Sequence, residues 1–158
     1  MGRIFKFHSD VDTDQIIASQ YLLYPSVEEM APYTFESLDG AFAGTVQPGD
    51  FVVAKENFGC GSSREQAPSV LKSLGVKAVL ANSFARIFYR NAINIGLPII
   101  ECAEASEAIK DGDEVSVDFD SGIITDITTG ETFKGQAFPP FMQGLIDAGG
   151  LVNYINNR

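Results

Sequence analysis

The chain has 158 residues, 45% apolar and 20% charged, with a net charge of −10. That balance fits one globular domain over 1–158, argues against nucleic acid, whose binding needs a basic footprint, and contains no apolar run near the ~20 residues that span a bilayer. Two cysteines, Cys60 and Cys102, are too few for a disulfide framework, a zinc site or an iron–sulfur cluster held by this chain alone, and reduced thiols in the cytoplasm are the expectation.

Arg3-Ile4-Phe5-Lys6-Phe7 alternates with period two and predicts a half-buried first strand, with no signal-peptide apolar core. Asp10-Val11-Asp12-Thr13-Asp14-Gln15-Ile16-Ile17 follows; its alternating acids lack the Gly and terminal Glu of an EF-hand loop. Residues 20–45 form a long mixed segment containing Tyr21-Leu22-Leu23-Tyr24-Pro25, a predicted helix from Val27 to Leu38, and Gly40 and Gly44. Gln47-Pro48-Gly49-Asp50 marks a turn before the apolar strand Phe51–Ala54. Helical spacing runs from Arg64 to Leu74 and ends at Gly75. Val76–Ala81 is the next strand, Phe84–Ile95 a second helix capped by Asn82 or Ser83 and closed by Gly96, and Leu97-Pro98-Ile99-Ile100 another strand. This alternation predicts parallel pairing with right-handed crossovers. Short strands at Glu114–Asp118, Ile123–Asp126 and Glu131–Lys134, separated by turn residues, predict a β-meander, and a last helical stretch covers Phe141–Ala148. The fold class is α/β: a parallel core sheet with helices plus an antiparallel accessory meander.

Chemistry concentrates in Asn57-Phe58-Gly59-Cys60-Gly61-Ser62-Ser63-Arg64-Glu65, between a strand and a helix. Glycines permit sharp turning and close approach, a helix start attracts anions, and Arg64 carries a planar fork that matches a carboxylate. Familiar serine and glycine motifs fail here. No Lys follows Gly61 as a P-loop needs. Gly stands where a hydrolase elbow needs Ser. His8 is the chain's one histidine, so a Ser–His triad is poorly supported, and Arg64 occupies the third glycine position of a dinucleotide fingerprint. A carboxylate-handling site centred on a serine survives, beside the plainer reading of a capped helix with a solvated Arg64. Cys60 at a helix entrance would favour a thiolate, but without a neighbouring His it reads as a small packing residue. Arg86 and Arg90 lie in a second motif-like stretch.

These residues resemble a known family: the small subunits of isopropylmalate isomerase (3-isopropylmalate dehydratase), in the aconitase superfamily. The resemblance runs through Asp12-Thr13-Asp14-Gln15-Ile16-Ile17, Tyr21-Leu22-Leu23-Tyr24, the 57–65 segment, Ser83-Phe84-Ala85-Arg86-Ile87-Phe88-Tyr89-Arg90-Asn91 and Gly96-Leu97-Pro98. It departs at Gln66, where many members carry His. It implies the swivelling β/β/α domain and a large-subunit partner, in a heterodimer or heterotetramer. That partner would carry the [4Fe-4S] cluster, one iron of which binds the substrate hydroxyl and a carboxylate. It further implies that Ser62 is the catalytic base and that Ser63 and Arg64 hold substrate carboxylate. Asp14 and Gly61 support the site, and no metal is bound by this chain.

The resemblance implies dehydration and rehydration of a dicarboxylate, converting 2-isopropylmalate to 3-isopropylmalate in leucine biosynthesis. Substrate choice is expected in the loop carrying Leu22, Leu23 and Tyr24. Members acting on tricarboxylates place an arginine where Leu23 stands, and an apolar loop would leave an added carboxylate unpaired. The alternatives are a citraconate or 2,3-dimethylmalate dehydratase, a homoaconitase, and a non-catalytic carboxylate-binding module.

Overall fold

Strands β1 (Gly2–Lys6), β2 (Phe51–Val53), β3 (Ala78–Ala81) and β4 (Ile99–Glu101) pair in parallel in a computed structural model that describes residues 2–119 and 121–135. Every residue of β2 and β3 is buried, as in strands covered on both faces. On the other side of β1 the sheet continues antiparallel through β5 (Glu114–Asp118), β6 (Ile123–Asp126) and β7 (Thr132–Lys134). The result is one mixed sheet of seven strands in the order β4-β3-β2-β1-β5-β6-β7. The meander expected as an accessory sheet is therefore an extension of the parallel core, joined where Gly2 and Arg3 pair with Val115 and Glu114. The helical stretch predicted over Phe141–Ala148 lies outside the described residues.

Three short helices, α1 (Thr13–Ile16), α2 (Val27–Met30) and α3 (Phe42–Thr45), fill the connection from β1 to β2. Helices α4 (Gln66–Ser73) and α5 (Arg86–Ile95) make the crossovers from β2 to β3 and from β3 to β4, and α6 (Ala103–Ala108) follows β4. Adjacent strand residues point to opposite faces, so the core divides in two. Phe5, Val52 and Val79 pack with Val70, Leu71, Phe88 and Ala92 of the crossover helices. Ile4, Val53 and Leu80 pack with Ala105, Ile109, Val115, Ile124 and Phe133. Among the described residues no helix is long and apolar enough to cross a membrane.

The single helix expected from Val27 to Leu38 is broken. It stops at Met30, continues as a 3₁₀ turn over Ala31–Tyr33 with Pro32 in its first positions, and ends where Phe35 takes a left-handed conformation, φ 58°. Phe35 is fully buried, donates its N–H to Ile16 O at 2.8 Å and stacks on Phe7 with ring centroids 4.2 Å apart. Tertiary packing overrides helical spacing at that point. The helix expected from Arg64 begins instead at Gln66, and that expected from Phe84 begins at Arg86 with no capping bond from its preceding residue. Ser83 does not cap it; its hydroxyl accepts from the Asn57 N–H. Gly75 and Gly96 both adopt the left-handed conformation expected after a helix end, at φ 86° and 81°.

Candidate active site

The segment after β2 is a wrapped loop before it is a helix start. Asn57, Gly59 and Gly61 all have positive φ, at 58°, 84° and 91°. Gly59 is required for space as well as conformation, because a β-carbon there would lie 2.3 Å from the Phe88 ring. Phe58 anchors the loop from within: fully buried, it bonds Ser83 O through its N–H, accepts from the Ala85 N–H, and meets the Phe88 ring edge-on at 5.1 Å.

A second loop is stitched to this one. Asp12 caps α1 through a reciprocal box with Gln15, and pairs with Cys60 in an isolated parallel bridge. Gly59 N–H donates to Val11 O at 2.7 Å and Thr13 N–H to Cys60 O at 2.8 Å. The buried Thr13 hydroxyl donates to Ser62 O at 2.8 Å. A β-carbon on Gly61 would come within 3.4 Å of Asp12 Cβ. The backbone carrying Ser62 is thus fixed from outside its own loop, while the Ser62 and Ser63 side chains remain exposed. Among the described residues their hydroxyls make no hydrogen bond, and the N–H groups of Gly61, Ser62, Ser63 and Arg64 donate to no acceptor. Consecutive free amides after a left-handed residue form an anion-facing concavity.

Arg64 reaches back across the two loops. Its Nη1 donates to Asp14 Oδ1 at 2.8 Å and to Ile17 O at 3.0 Å, and its side chain is mostly buried beside the exposed Asp14. The hydrogen bond from Arg64 is the main reason the Asp14 carboxyl is held below the ordinary aspartate value. Asp14 Oδ1 also accepts from Ser19 N–H at 3.3 Å, which ties the ion pair to the next element, a 3₁₀ turn over Ser19–Leu23.

That turn separates the two leucines read as a pair. Leu22 is half-buried against the main core cluster, whereas Leu23 is 89% exposed and Tyr24 is 39% exposed. Between the turn and the ion pair lies a pocket of about 270 Å³ lined by Asp14, Gln15, Ala18, Gln20, Tyr33, Glu36 and Ser37. Two carboxylates on its wall disfavour an anion there, whereas Arg64 and the free amides present positive potential.

Two parts of the sequence reading change. Ser62 and Ser63 are not helix caps, since α4 begins at Gln66, four positions after Ser62, with Glu65 at its start. The anion preference therefore comes from Arg64 and the loop amides. Cys60 does not favour a thiolate: burial and then the nearby Asp12 and Asp10 push its pKa up. Arg86 and Arg90 lie exposed on α5 and make no bond to the Arg64 loop among the described residues. Thr13 and the Ile17 carbonyl went unrecognised as parts of the site. The Asp12-x-x-Gln15 capping box was a legible sign that a helix starts there; the carbonyl carried no sequence signal.

The family signature described as the aconitase C-terminal domain matches residues 24–105, which include the Ser62–Arg64 loop and α5. The 3-isopropylmalate dehydratase small subunit of Ruminiclostridium cellulolyticum is 54% identical over 156 residues, 99% of this chain and 96% of that one. The chain belongs to the 3-isopropylmalate dehydratase small-subunit family. The 2,3-dimethylmalate dehydratase small subunit of Eubacterium barkeri is 60% identical, covering 98% of this chain and 95% of its own. A crystal structure of 3-isopropylmalate dehydratase from Methanocaldococcus jannaschii superposes with a TM-score of 0.95 at 47% identity, covering 99% of this chain and 93% of that one. The mixed sheet and its helices are thus those of an aconitase-superfamily hydro-lyase small subunit.

Proposed function

We propose that this chain is the small subunit of an isopropylmalate isomerase. It would complete an active site with a large subunit and interconvert 2- and 3-isopropylmalate through dehydration and rehydration. The observation that carries this reading is the anchored Arg64 guanidinium, held by Asp14 and Ile17 O two positions after an exposed Ser62 whose hydroxyl has no partner among the described residues. In this assignment Arg64 and Ser63 hold a substrate carboxylate. Ser62 would take the proton alpha to a carboxylate as the substrate C–O bond breaks and the hydroxide departs, leaving the unsaturated diacid. That departure would be helped by the Lewis acidity that the cluster on the large subunit would supply, and on rehydration Ser62 would return the proton as water adds. The free loop amides and Arg64 supply the positive field that a serine oxyanion needs. Gly61 lets the loop lie against Asp12 and Thr13, and Asp14 orients the guanidinium.

The [4Fe-4S] cluster implied by the family does not fit this chain's own side chains. Cys102 is buried with its Sγ toward Lys134 O, Cys60 is half-buried, and among the described residues no group of three His, Cys, Asp or Glu could hold a metal ion. The proposal therefore places the cluster on the large subunit.

The exposed Leu23 supports an alkylmalate over a tricarboxylate, because the turn offers no cation for a further carboxylate. A second reading, dehydration of 2,3-dimethylmalate, is favoured by the Eubacterium barkeri relative. One experiment tests both. This chain is mixed anaerobically with its large subunit, and the ultraviolet absorbance of the unsaturated diacid is followed with 3-isopropylmalate, 2,3-dimethylmalate and a homoaconitate-type substrate. Activity that needs both chains and favours 3-isopropylmalate is the expected result. Preference for 2,3-dimethylmalate selects the second reading, and no turnover by a formed, cluster-loaded complex refutes both.

A further inference from the structure

The turn that carries Leu22 and Leu23 has little internal reason to hold its shape. It is a five-residue 3₁₀ turn with no buried residue and no side-chain cap at its start, and such turns depend on their surroundings. Besides the Asp14–Ser19 bond and the packing of Leu22 on the core, a stack of three aromatic rings, Tyr21, Tyr24 and Tyr33, holds it. Tyr33 lies parallel to Tyr21, with centroids 4.1 Å apart and 5° between planes, and against Tyr24 at 5.7 Å and 22°. Tyr21 and Tyr24 bracket the two leucines, so Tyr33 is a platform for both ends of the segment. Tyr33 is itself well rooted. It ends the 3₁₀ turn whose Ala31 is buried, directly after the buried Met30 of α2, while the Tyr21 hydroxyl donates to Glu36 Oε1. Tyr33 and Glu36 also line the pocket that reaches Asp14.

We infer that Tyr33, outside the Tyr-Leu-Leu-Tyr segment, is a positioning residue for substrate selection. It sets where Leu23 stands relative to Asp14 and Arg64, and therefore which alkyl substituent on the malate is accepted. The inference rests on the proposed function in that Leu23 is taken to meet the substrate.

Two measurements test it, using Tyr33→Ala and the stack-preserving Tyr33→Phe. The first is hydrogen exchange in the full chain at the Tyr21 and Tyr24 amides, which donate to Ala18 O and Tyr21 O. Tyr33→Ala is expected to speed their exchange about tenfold or more, the effect of losing two ring contacts, while Tyr33→Phe stays within about twofold of wild type. The second is the ratio of kcat/KM for 3-isopropylmalate over a smaller alkylmalate, read in the complex with the large subunit. Tyr33→Ala should lower that ratio at least about fivefold, chiefly through KM of the larger substrate, and Tyr33→Phe should preserve it. Unchanged exchange in Tyr33→Ala overturns the inference, as does a selectivity ratio that stays constant while both activities fall together. A wild-type complex that turns over no alkylmalate fails the proposed function and the selection role with it. Failure of the exchange test with turnover intact fails this inference alone.

Discussion

Replacing Arg64 by lysine isolates what the guanidinium contributes. Its Nη1 already serves Asp14 Oδ1 at 2.8 Å and Ile17 O at 3.0 Å. The anchoring bonds therefore leave Nη2 and Nε for a carboxylate. A lysine ammonium has one nitrogen and three protons; with two committed to the same anchors, one is left. A substrate held by two charge-assisted hydrogen bonds then keeps one, a loss of ~1.5–3 kcal/mol, or roughly 10- to 150-fold in kcat/KM. The loss should appear mainly in KM, because the carboxylate is bound in ground and transition states alike. Steady-state kinetics of the reconstituted complex measure it, with thermal denaturation confirming a folded subunit. A second readout is the Asp14 carboxyl, which the hydrogen bond from Arg64 holds below the ordinary aspartate value. A depressed folded pKa means that the pair's contribution is present above the unfolded value and lost as pH falls through the folded one. The lysine variant should move that titration upward by NMR. A folded, associated variant with kcat/KM within about threefold of wild type would refute the bidentate role.

Ser62→Ala should lower kcat by at least ~100-fold, the lower range for losing a positioned acid–base group, with stability within about 0.5 kcal/mol since the side chain is exposed. Turnover within tenfold of wild type would remove the hydroxyl from the mechanism. Gly59→Ala should destabilise the fold by ~2–5 kcal/mol, combining a left-handed alanine with overpacking against Phe88 at 2.3 Å. At ~2–4 °C per kcal/mol for a chain of this size, Tm should fall by at least ~4 °C, and a smaller shift would mean the ring moves aside freely. The buried pair Asp113 and Asp126 supplies a pH test. Burial and the bond to Asp113 raise the Asp126 pKa, and the same bond lowers that of Asp113. The Asp113 contribution is lost as pH falls through its lowered value, and the Asp126 contribution as pH rises through its raised one. The pair is therefore most favourable between them. Asp126→Asn keeps an acceptor for the Thr128 and Thr129 N–H groups and needs no proton. Its Tm should match or exceed wild type at pH 8, with the difference shrinking toward pH 4; a wild-type advantage that grows with pH would contradict this.

The strands were legible because their signal is local. The period-two run at Arg3–Phe7 and the solid apolar runs at Phe51 and Val79 fall within a residue or two of β1, β2 and β3, since burial on both faces writes itself directly into composition. The 114–118 and 123–126 strands were equally plain. Elements between β1 and β2 were not, because their geometry is set at a distance. Phe35 leaves the helix to reach Ile16 O and Phe7, partners roughly twenty to thirty residues upstream that no spacing rule connects to it. The site divides in the same way. Ser62, Ser63 and Arg64 stand together in one segment and Asp14 was named only through the family resemblance; the structure joins Arg64 to Asp14 across 50 positions. Thr13, which holds the Ser62 carbonyl, lies in the Asp12–Ile17 motif but carries no chemical signal of that task.

Leu23 touches almost nothing in its own chain, with 89% of its surface open, although its neighbours in the turn are tied down by stacked rings. A side chain in that position can be exchanged with little loss of folding free energy, whereas Phe58 or Gly59 cannot. The scaffold therefore separates evolvability from stability. If Leu23 meets substrate as proposed above, a single codon could change what is recognised while the rest of the chain keeps its fold, a physical route by which subunits this similar could come to serve different malates.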